Sequence, residues 1–204
     1  MGSLKEIEIE HCPEFLSAYR SKASDLSSCC PFPSSLLDLN LRGRMEGMET
    51  LAPLSNLTSL ESLSILQLFA GWEQGFLSSK LQEVATGDIA QVLTAPICRL
   101  LSSSLTKLTF CDNQEVERLG KEQEEALSLL TSLQVLQFYG CTKLRCLPAG
   151  LHKLTNLETL QIRNCPAMRS LPNNGLPTSL QKLDVRSCNN EELKQRCRRL
   201  ILVD

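Results

Sequence analysis

The sequence has few aromatic residues, no strong excess of charge and no long apolar run. Aromatic residues make up 4% of the 204 residues, so a large core centred on aromatic side chains is not expected. The formal net charge is −2, which predicts neither a nucleic-acid-binding surface nor an acidic tail. No stretch of about 18 apolar residues occurs, and a membrane-spanning helix is therefore not expected.

An export signal and a disulfide framework are also lacking. The N-terminal "MGSLKEIEIE" has no basic region followed by an apolar stretch, so it is not a signal peptide. Its Met-Gly-Ser stands directly before a strand-like pattern, which suggests a piece of a longer protein. Ten cysteines are present, a fraction below the roughly 8–10% that marks a disulfide scaffold. The sequence therefore favours a reducing compartment.

Catalytic and metal-binding motifs are missing as well. The sequence contains no P-loop, zinc-protease or nucleophile-elbow pattern. The two histidines, His11 and His152, lie far apart in the chain, so a pairing with a nucleophile is not expected. The cysteine spacings do not match a zinc site either. We therefore expect a non-catalytic protein with no cofactor and no metal.

What the sequence does contain is one apolar skeleton, Leu-x-x-Leu-x-Leu-x-x-Cys/Asn, in seven copies. The copies begin at Leu4, Leu36, Leu60, Leu105, Leu133, Leu157 and Leu180. Leucine-rich repeats occupy roughly 20–29 residues. The last four units fit this length, whereas the 45 residues between the starts at Leu60 and Leu105 do not.

This pattern predicts a solenoid. The fourth and sixth positions lie on one face of a short strand, and stacked strands bury that face in a continuous core. Pro148, Pro172 and Pro177 prevent long helices in the segments between strands. We predict a single domain over residues 1–204, an α/β leucine-rich repeat solenoid of about seven or eight repeats. Its curved parallel sheet forms the concave side, and short helical or irregular return arms form the convex side.

The ninth position of the repeat carries a small polar group. Cysteine occupies it at Cys12, Cys141, Cys165 and Cys188, and asparagine occupies it at Asn113. The strand ends here and the chain turns inward, which leaves backbone groups that need partners. We expect these side chains to be buried and to satisfy those groups. Arg44 and Leu68 break the pattern in two units, where irregular structure is expected.

Three segments depart from the repeat. Residues 70–101, with Trp72, are interpreted as an irregular insertion that hides a degenerate repeat, forms a helix around "SSKLQEVA", or acts as a binding loop. Residues 113–130 predict a helix with solvated charges. Residues 189–204 predict a C-terminal capping helix, with Asn190 as its N-cap.

The residues between the leucines predict a protein-binding surface on the concave face. The first coil is acidic and the last two are basic, which would orient a protein partner. Tyr139 and Arg163 are of types enriched at binding hot spots. The candidate contact residues are Glu8, Glu10, Arg42, Gln137, Tyr139, Gln161, Arg163, Asp184 and Arg186.

Two long segments resemble a known family. They are "LTSLQVLQFYGCTKLRCLPAGLHKLTNLETLQIRNCPAMRSLP" and "GLPTSLQKLDVRSCNNEELKQRCRRL". Together with the Cys-Pro pairs of "HCPEF" and "NCPAM", they resemble the C-terminal leucine-rich repeats of plant intracellular immune receptors. The class is the coiled-coil/nucleotide-binding/leucine-rich repeat receptors, especially those of cereals.

The resemblance implies residence in the cytoplasm, with the nucleus as a second compartment. It also implies recognition of a pathogen or pest effector protein, and contact with the receptor's own nucleotide-binding domain that holds the receptor inactive. Neither nucleic acid nor a membrane is expected as a partner. Two alternatives stay open: a purely intramolecular regulatory repeat domain, and a secreted repeat protein linked by disulfides.

Overall fold

The computed structural model describes residues 4–15, 32–43, 54–66, 77–172, 174–188 and 195. Within these ranges, eight strands form one parallel sheet whose spatial order follows the chain order. The strands are β1 (Glu6–Glu10), β2 (Asp38–Arg42), β3 (Ser62–Ile65), β4 (Glu83–Thr86), β5 (Lys107–Cys111), β6 (Val135–Tyr139), β7 (Thr159–Arg163) and β8 (Lys182–Arg186).

Every predicted unit contributes a strand that begins two residues after its first leucine. Equivalent positions align across neighbouring strands, so Leu108 pairs in register with Leu136, and Leu136 with Leu160. Within the described part of the chain, each strand pairs only with its sequence neighbours, which is the arrangement of a solenoid-like stack. The prediction of an α/β protein with a single parallel sheet is therefore confirmed.

Strand β4 corrects the interpretation of residues 70–101 as an irregular insertion. Leu81, Val84 and Thr86 are buried at positions that match the first, fourth and sixth residues of a repeat, and β4 pairs with both β3 and β5. The helix around "SSKLQEVA" is therefore wrong, and a degenerate repeat is present. The pattern was hard to recognise because valine and threonine replace two leucines. Residues 70–76, with Trp72, lie outside the described residues.

Short helices lie between the strands on the return side. They are α1 (Ile89–Val92), α2 (Ala95–Leu101), α3 (Lys121–Leu127) and a 3₁₀ helix (Ala149–Lys153). Helix α2 contacts α3, and α3 contacts the 3₁₀ helix. The helix predicted over residues 113–130 is thus confirmed only for Lys121–Leu127. The 3₁₀ helix follows Pro148 directly, and the described part of the arm after β7 is irregular, as the prolines predicted.

The repeat leucines form the core. Leu39, Leu63 and Leu160 are at most 1% exposed, and each such leucine contributes roughly 1.5–3 kcal/mol through burial. The rings of Phe110 and Phe138 pack at the centre of the sheet with centroids 5.5 Å apart. The prediction that the leucines face inward is confirmed, except for Leu4 in the first coil, which is 55% exposed.

The cysteines of the later coils have the predicted role at the inward turn. Cys141 and Cys165 are buried, and each sulfur lies within hydrogen-bonding distance of a carbonyl oxygen of the preceding strand and of another in its own coil. The sulfur of Cys141 lies 3.7 Å from the oxygen of Phe110, and that of Cys165 lies 3.7 Å from the oxygen of Phe138. The chain thus links each strand end to the previous coil without a disulfide between these two residues.

Asparagine serves the same purpose in the β5 coil. Asn113 Nδ2 donates to the carbonyl oxygen of Gly87 at 2.8 Å, and its Oδ1 accepts from the backbone N–H of Val116 at 2.8 Å. Cys12 does not follow the prediction, because it is exposed and its thiol donates to the carbonyl of Glu10 in its own coil. Cys12 belongs to the first described coil, so no preceding strand offers it a carbonyl.

The residue before the ninth position makes the inward turn. At Asp112 and Asn164 the backbone φ is 53° and 55°, in the left-handed region that Asn and Asp tolerate better than most residues. Gly140 occupies the same place with φ of 65°. A Cβ at Gly140 would lie 2.2 Å from the Oδ1 atom of Asp112, so a larger residue there would force the Asp112 side chain to move.

Several predictions concern residues outside the described ranges. Of the predicted cap over residues 189–204, only Gln195 is described, and it is helical and exposed. Arg44 and Leu68 lie outside these ranges as well. The expectations for these residues therefore stay predictions.

Candidate protein-interaction surface

The face of the sheet opposite the core, here called the open face, carries the third, fifth and seventh positions of the repeats. In-register pairing aligns these positions into three rows. The first row is Glu6, Asp38, Ser62, Glu83, Lys107, Val135, Thr159 and Lys182. The second is Glu8, Asn40, Ser64, Ala85, Thr109, Gln137, Gln161 and Asp184. The third has two parts, Glu10 and Arg42 on β1 and β2, and Cys111, Tyr139, Arg163 and Arg186 on β5 to β8, because β3 and β4 end before this position.

All nine candidate contact residues lie on the open face, in two separate groups. Three are on β1 and β2: Glu8, Glu10 and Arg42. Six are on β6 to β8: Gln137, Tyr139, Gln161, Arg163, Asp184 and Arg186. Strands β3 to β5 separate the two groups. Their role in binding stays a prediction.

The group on β1 and β2, together with Glu6, Asp38 and Asn40, is called the acidic end. Here Arg42 lies between two carboxylates, with Nη1 2.6 Å from Glu10 Oε1 and Nη2 3.9 Å from Glu8 Oε1. Asn40 Nδ2 also donates to Glu8 at 2.8 Å. The side chains of Arg42, Glu8 and Glu10 are 48%, 53% and 46% exposed, so water screens their charges strongly.

Arg163, Lys182, Asp184 and Arg186 form the basic end. Here the arrangement is reversed, because one carboxylate lies between two guanidinium groups. Arg163 donates from Nε at 3.1 Å and from Nη2 at 2.5 Å to Asp184 Oδ2. Arg186 Nε donates to Asp184 Oδ1 at 2.7 Å. Asp184 is only 8% exposed, so its side chain is a buried anchor for two arginines and not the exposed contact residue that the sequence suggested.

The carboxyl group of Asp184 stays ionised because of these partners. Burial by itself would raise the pKa of Asp184, but the hydrogen bonds and charge of Arg163, and then those of Arg186, outweigh burial and hold the pKa below its ordinary value. The cluster of two guanidinium groups and one carboxylate therefore has a net charge of about +1 at neutral pH.

The middle of the open face is neutral and concave. Small side chains at Ser62, Ser64 and Ala85 leave a depression of about 180 Å³. Thr109 and Gln137 line its far side, where Thr109 Oγ1 donates to Gln137 Oε1 at 3.1 Å. The sequence did not predict this feature, because it depends on strand β4, which lacks the leucine pattern.

An ion pair lines the depression, and an aromatic ring lies further along the strand that carries Gln137. Lys107 Nζ lies 2.7 Å from Glu83 Oε2 across β4 and β5. Tyr139 is 45% exposed and aligns with Cys111 on one side and Arg163 on the other. Burial, followed by the charge of Asp112, raises the pKa of Cys111 to about 11, so its thiol is protonated at neutral pH and offers a weakly polar contact.

A second cavity lies on the return side, between α1, α2 and α3. Its volume is about 670 Å³, and its lining includes Leu93, Pro96, Arg99, Glu122 and Leu129. The strands of the sheet separate it from the open face. The cavity therefore offers a second surface that is independent of the two charged ends.

The described ranges contain neither a metal-binding cluster nor a membrane-spanning helix. No group of three or more His, Cys, Asp or Glu side chains there could hold a metal ion. No helix in the described part of the chain has the length and hydrophobicity to cross a membrane. No known family model matches the chain, and no curated protein matches it significantly.

Proposed function

We propose that the chain is a leucine-rich repeat recognition module of a plant intracellular immune receptor, acting in the cytoplasm or nucleus, and that its open face binds a pathogen or pest effector protein. The observation that carries this proposal is the layout of the open face. Two oppositely charged ends flank a depression without net charge, and Tyr139, which is 45% exposed, lies two residues along β6 from Gln137 in its lining. The sequence resemblance supplies the class of partner.

The dimensions of the open face suit a protein partner. Eight strands at a spacing of about 4.8 Å span roughly 34 Å, which is enough to hold a helix of about 20 residues. The depression of about 180 Å³ is smaller than the roughly 300–1,000 Å³ of small-molecule pockets. It suits a single side chain of a partner, as hot-spot pockets do.

The charged ends give such a partner one preferred orientation. Glu6, Glu8 and Asp38 at the acidic end would attract a basic segment, whereas Arg163 and Arg186 at the basic end would attract an acidic one. Complementary charges of this kind mainly raise the association rate and select the partner. Binding is therefore expected to weaken as the salt concentration increases.

Affinity capture from challenged host tissue, followed by calorimetry with the purified captured protein, tests this proposal. We expect the double variant Arg163→Glu/Arg186→Glu to lose both capture and calorimetric binding. The matched control is Lys143→Glu/Lys153→Glu, which makes the same change in net charge at exposed return-side residues. Equal binding by wild type and the open-face variant would contradict the proposal.

The return-side cavity favours a second contact, with the receptor's own nucleotide-binding domain. Arg99 and Glu122 at its lining could bind a partner while the open face holds an effector. Co-expression of this chain with the nucleotide-binding portion should give a stable complex that Arg99→Glu weakens. Absence of association would contradict this regulatory contact and leave effector binding unaffected.

A further inference from the structure

The two arginines at the basic end have donors left over. Arg163 uses Nε and Nη2 for Asp184, and Arg186 uses Nε alone. Among the described residues, Nη1 of Arg163 and both terminal nitrogens of Arg186 have no hydrogen-bond partner. The side chains are 39% and 68% exposed. A ligand from solvent can therefore reach several N–H groups of two adjacent guanidiniums.

The charge of the cluster selects among anionic ligands. Its net charge of about +1 matches one carboxylate, whereas a phosphate monoester carries about −1.5 to −2 at neutral pH. Asp184 would repel the second negative charge of a phosphate, and within the basic end only the exposed Lys182 could offset that repulsion. The planar fork of arginine also fits a carboxylate in a bidentate geometry.

Asp184 prepares the cluster for binding. An arginine side chain that becomes ordered on binding loses rotamer entropy, and that loss normally weakens binding. Here the buried carboxylate already holds Nε of both arginines. The guanidinium groups are thus ordered before any ligand arrives.

We infer that Arg163 and Arg186 form a receptor for a single Asp or Glu side chain of a protein partner, and that Asp184 is a positioning residue that does not touch the partner. Tyr139, aligned beside Arg163, provides an apolar surface for the residue next to that acidic side chain. This inference rests on the proposed function, because it names the chemistry that the partner presents at the basic end.

Nuclear magnetic resonance of the arginine Nε–H groups tests the inference directly. The probe is the capped peptide Gly-Ser-Glu-Leu-Gly-Ser, and its counterparts carry Gln, Lys or phosphoserine in place of Glu. We expect the signals of Arg163 and Arg186 to shift saturably with the Glu peptide alone, and the signal of Arg42 to stay in place. No shift, an equal shift with the Gln peptide, or tighter binding of the phosphoserine peptide would overturn the inference.

The variant Asp184→Asn separates positioning from simple charge. It raises the net charge of the cluster from about +1 to about +2, so attraction by charge alone would strengthen binding of the Glu peptide. Positioning predicts the opposite, a roughly tenfold loss of affinity because the forks are no longer held. Stronger binding by Asp184→Asn would overturn the positioning role.

A conservative variant covers the case in which Asp184→Asn folds poorly. Arg186→Lys keeps the charge at a largely exposed position but loses the fork, and we expect a similar loss of affinity. Arg42→Lys at the acidic end is the matched control, for which no change is expected. Unchanged binding by Arg186→Lys would show that charge suffices and would overturn the inference.

Failure of this inference can be told apart from failure of the proposed function. If challenged tissue yields no effector but the Glu peptide binds as described, the proposed function fails and the acidic-ligand site stands. If a purified effector binds and both Arg186→Lys and Asp184→Asn leave its affinity unchanged, the site is overturned and the proposed function stands.

Discussion

The two ends of the sheet carry the same kind of charge cluster with the signs exchanged. At the acidic end one arginine, Arg42, lies between Glu8 and Glu10. At the basic end one carboxylate, Asp184, lies between Arg163 and Arg186. The central residue of the first cluster is 48% exposed, whereas that of the second is 8% exposed. The clusters therefore have similar contacts but differ in how strongly water screens them.

Burial of the fourth and ninth repeat positions differs between the ends in the same direction. In β1, Ile7 is half-buried and Ile9 is 7% exposed, while Cys12 after the strand is exposed. In β8, Leu183 is 8% exposed and Cys188 after the strand is buried, whereas Val185, at the position of Ile9, is only partly buried. The same repeat pattern thus buries the fourth and ninth positions better in the last coil than in the first, but not the sixth. The repeat pattern specifies the strand, and the neighbouring coils determine how much that strand contributes to the stability of the fold.

Truncation of equivalent core residues should show the largest difference. Leu183→Ala is expected to reduce the free energy of unfolding by about 2–5 kcal/mol, because it leaves a cavity in a buried site. Ile7→Ala at the same repeat position should reduce it by less than about 2 kcal/mol, because Ile7 is only half-buried. Urea unfolding followed by circular dichroism measures both. Leu4→Ala, at a 55% exposed position, is the control with little expected effect.

Equal losses for Leu183→Ala and Ile7→Ala would contradict the comparison. They would mean that the first strand is covered as well as the last one in solution. A larger loss for Ile7→Ala would reverse the assignment of the better-packed end.

Removal of the central residue of each cluster should show a smaller difference. Asp184→Ala takes the acceptor from two guanidinium groups and is expected to cost about 1.5–3 kcal/mol, the range for hydrogen bonds to charged groups. Arg42→Ala breaks half-exposed pairs and should cost less than about 1 kcal/mol. Unfolding in urea at low and high salt measures both. Salt should reduce the effect of Arg42→Ala more than that of Asp184→Ala, and the reverse order would refute the burial argument.

The pH dependence should also separate the ends, because the pKa of Asp184 is lowered in the folded state. A lowered carboxyl pKa stabilises the fold fully above the pKa of the unfolded chain, about 3.9. This stabilisation is lost as the pH falls from there through the folded pKa. The stability difference between wild type and Asp184→Asn should therefore be constant above about pH 5 and should shrink below pH 4.

Asp88, in the middle of the chain, provides a control of opposite sign. Burial is the main cause that raises its pKa, despite a hydrogen bond from the backbone N–H of Gln91. Its ionisation therefore destabilises the fold above its folded pKa, and that effect vanishes as the pH falls below the unfolded value of about 3.9. The stability of Asp88→Asn relative to wild type should therefore increase from acidic to neutral pH. The same pH trend for Asp88→Asn and Asp184→Asn would contradict the opposite signs assigned to the two carboxyl groups.

The sequence predicted the periodic part of the fold and missed what depends on neighbouring coils. All seven leucine-based strands were predicted to within two residues of their starts, because the strand period is local information. Strand β4 was missed, since Val84 and Thr86 replace leucines and only pairing with β3 and β5 identifies the strand. Its absence from the prediction also concealed the depression over Ser64 and Ala85.

The sequence predicted which face of the sheet carries the candidate contact residues, but it did not predict their burial or their hydrogen-bond partners. Their repeat positions placed them on the side opposite the leucines, which the alternating burial of β6 and β7 bears out. Pairing between coils could not be predicted, because it depends on side-chain conformations across about 20 to 30 residues of intervening chain. Asp184 therefore appeared as an exposed contact residue, although Arg163 and Arg186 cover it.

Substitution of an exposed cysteine should have the smallest effect on stability. The reactivity of the thiols, in contrast, should differ sharply between the first coil and the later ones. Cys12 is exposed, whereas Cys98, Cys141 and Cys165 are buried, and burial raises the pKa of Cys98 to about 12. A brief maleimide treatment of the folded protein near pH 7 should modify Cys12 and spare those three, because reaction needs an accessible thiolate. Peptide mapping by mass spectrometry measures each site, with urea-unfolded protein as the control for full reactivity. Cys12→Ser should change the free energy of unfolding by less than about 0.5 kcal/mol. If Cys165 reacts as fast as Cys12, the later coils open as readily as the first one, and the difference between the two ends does not hold in solution.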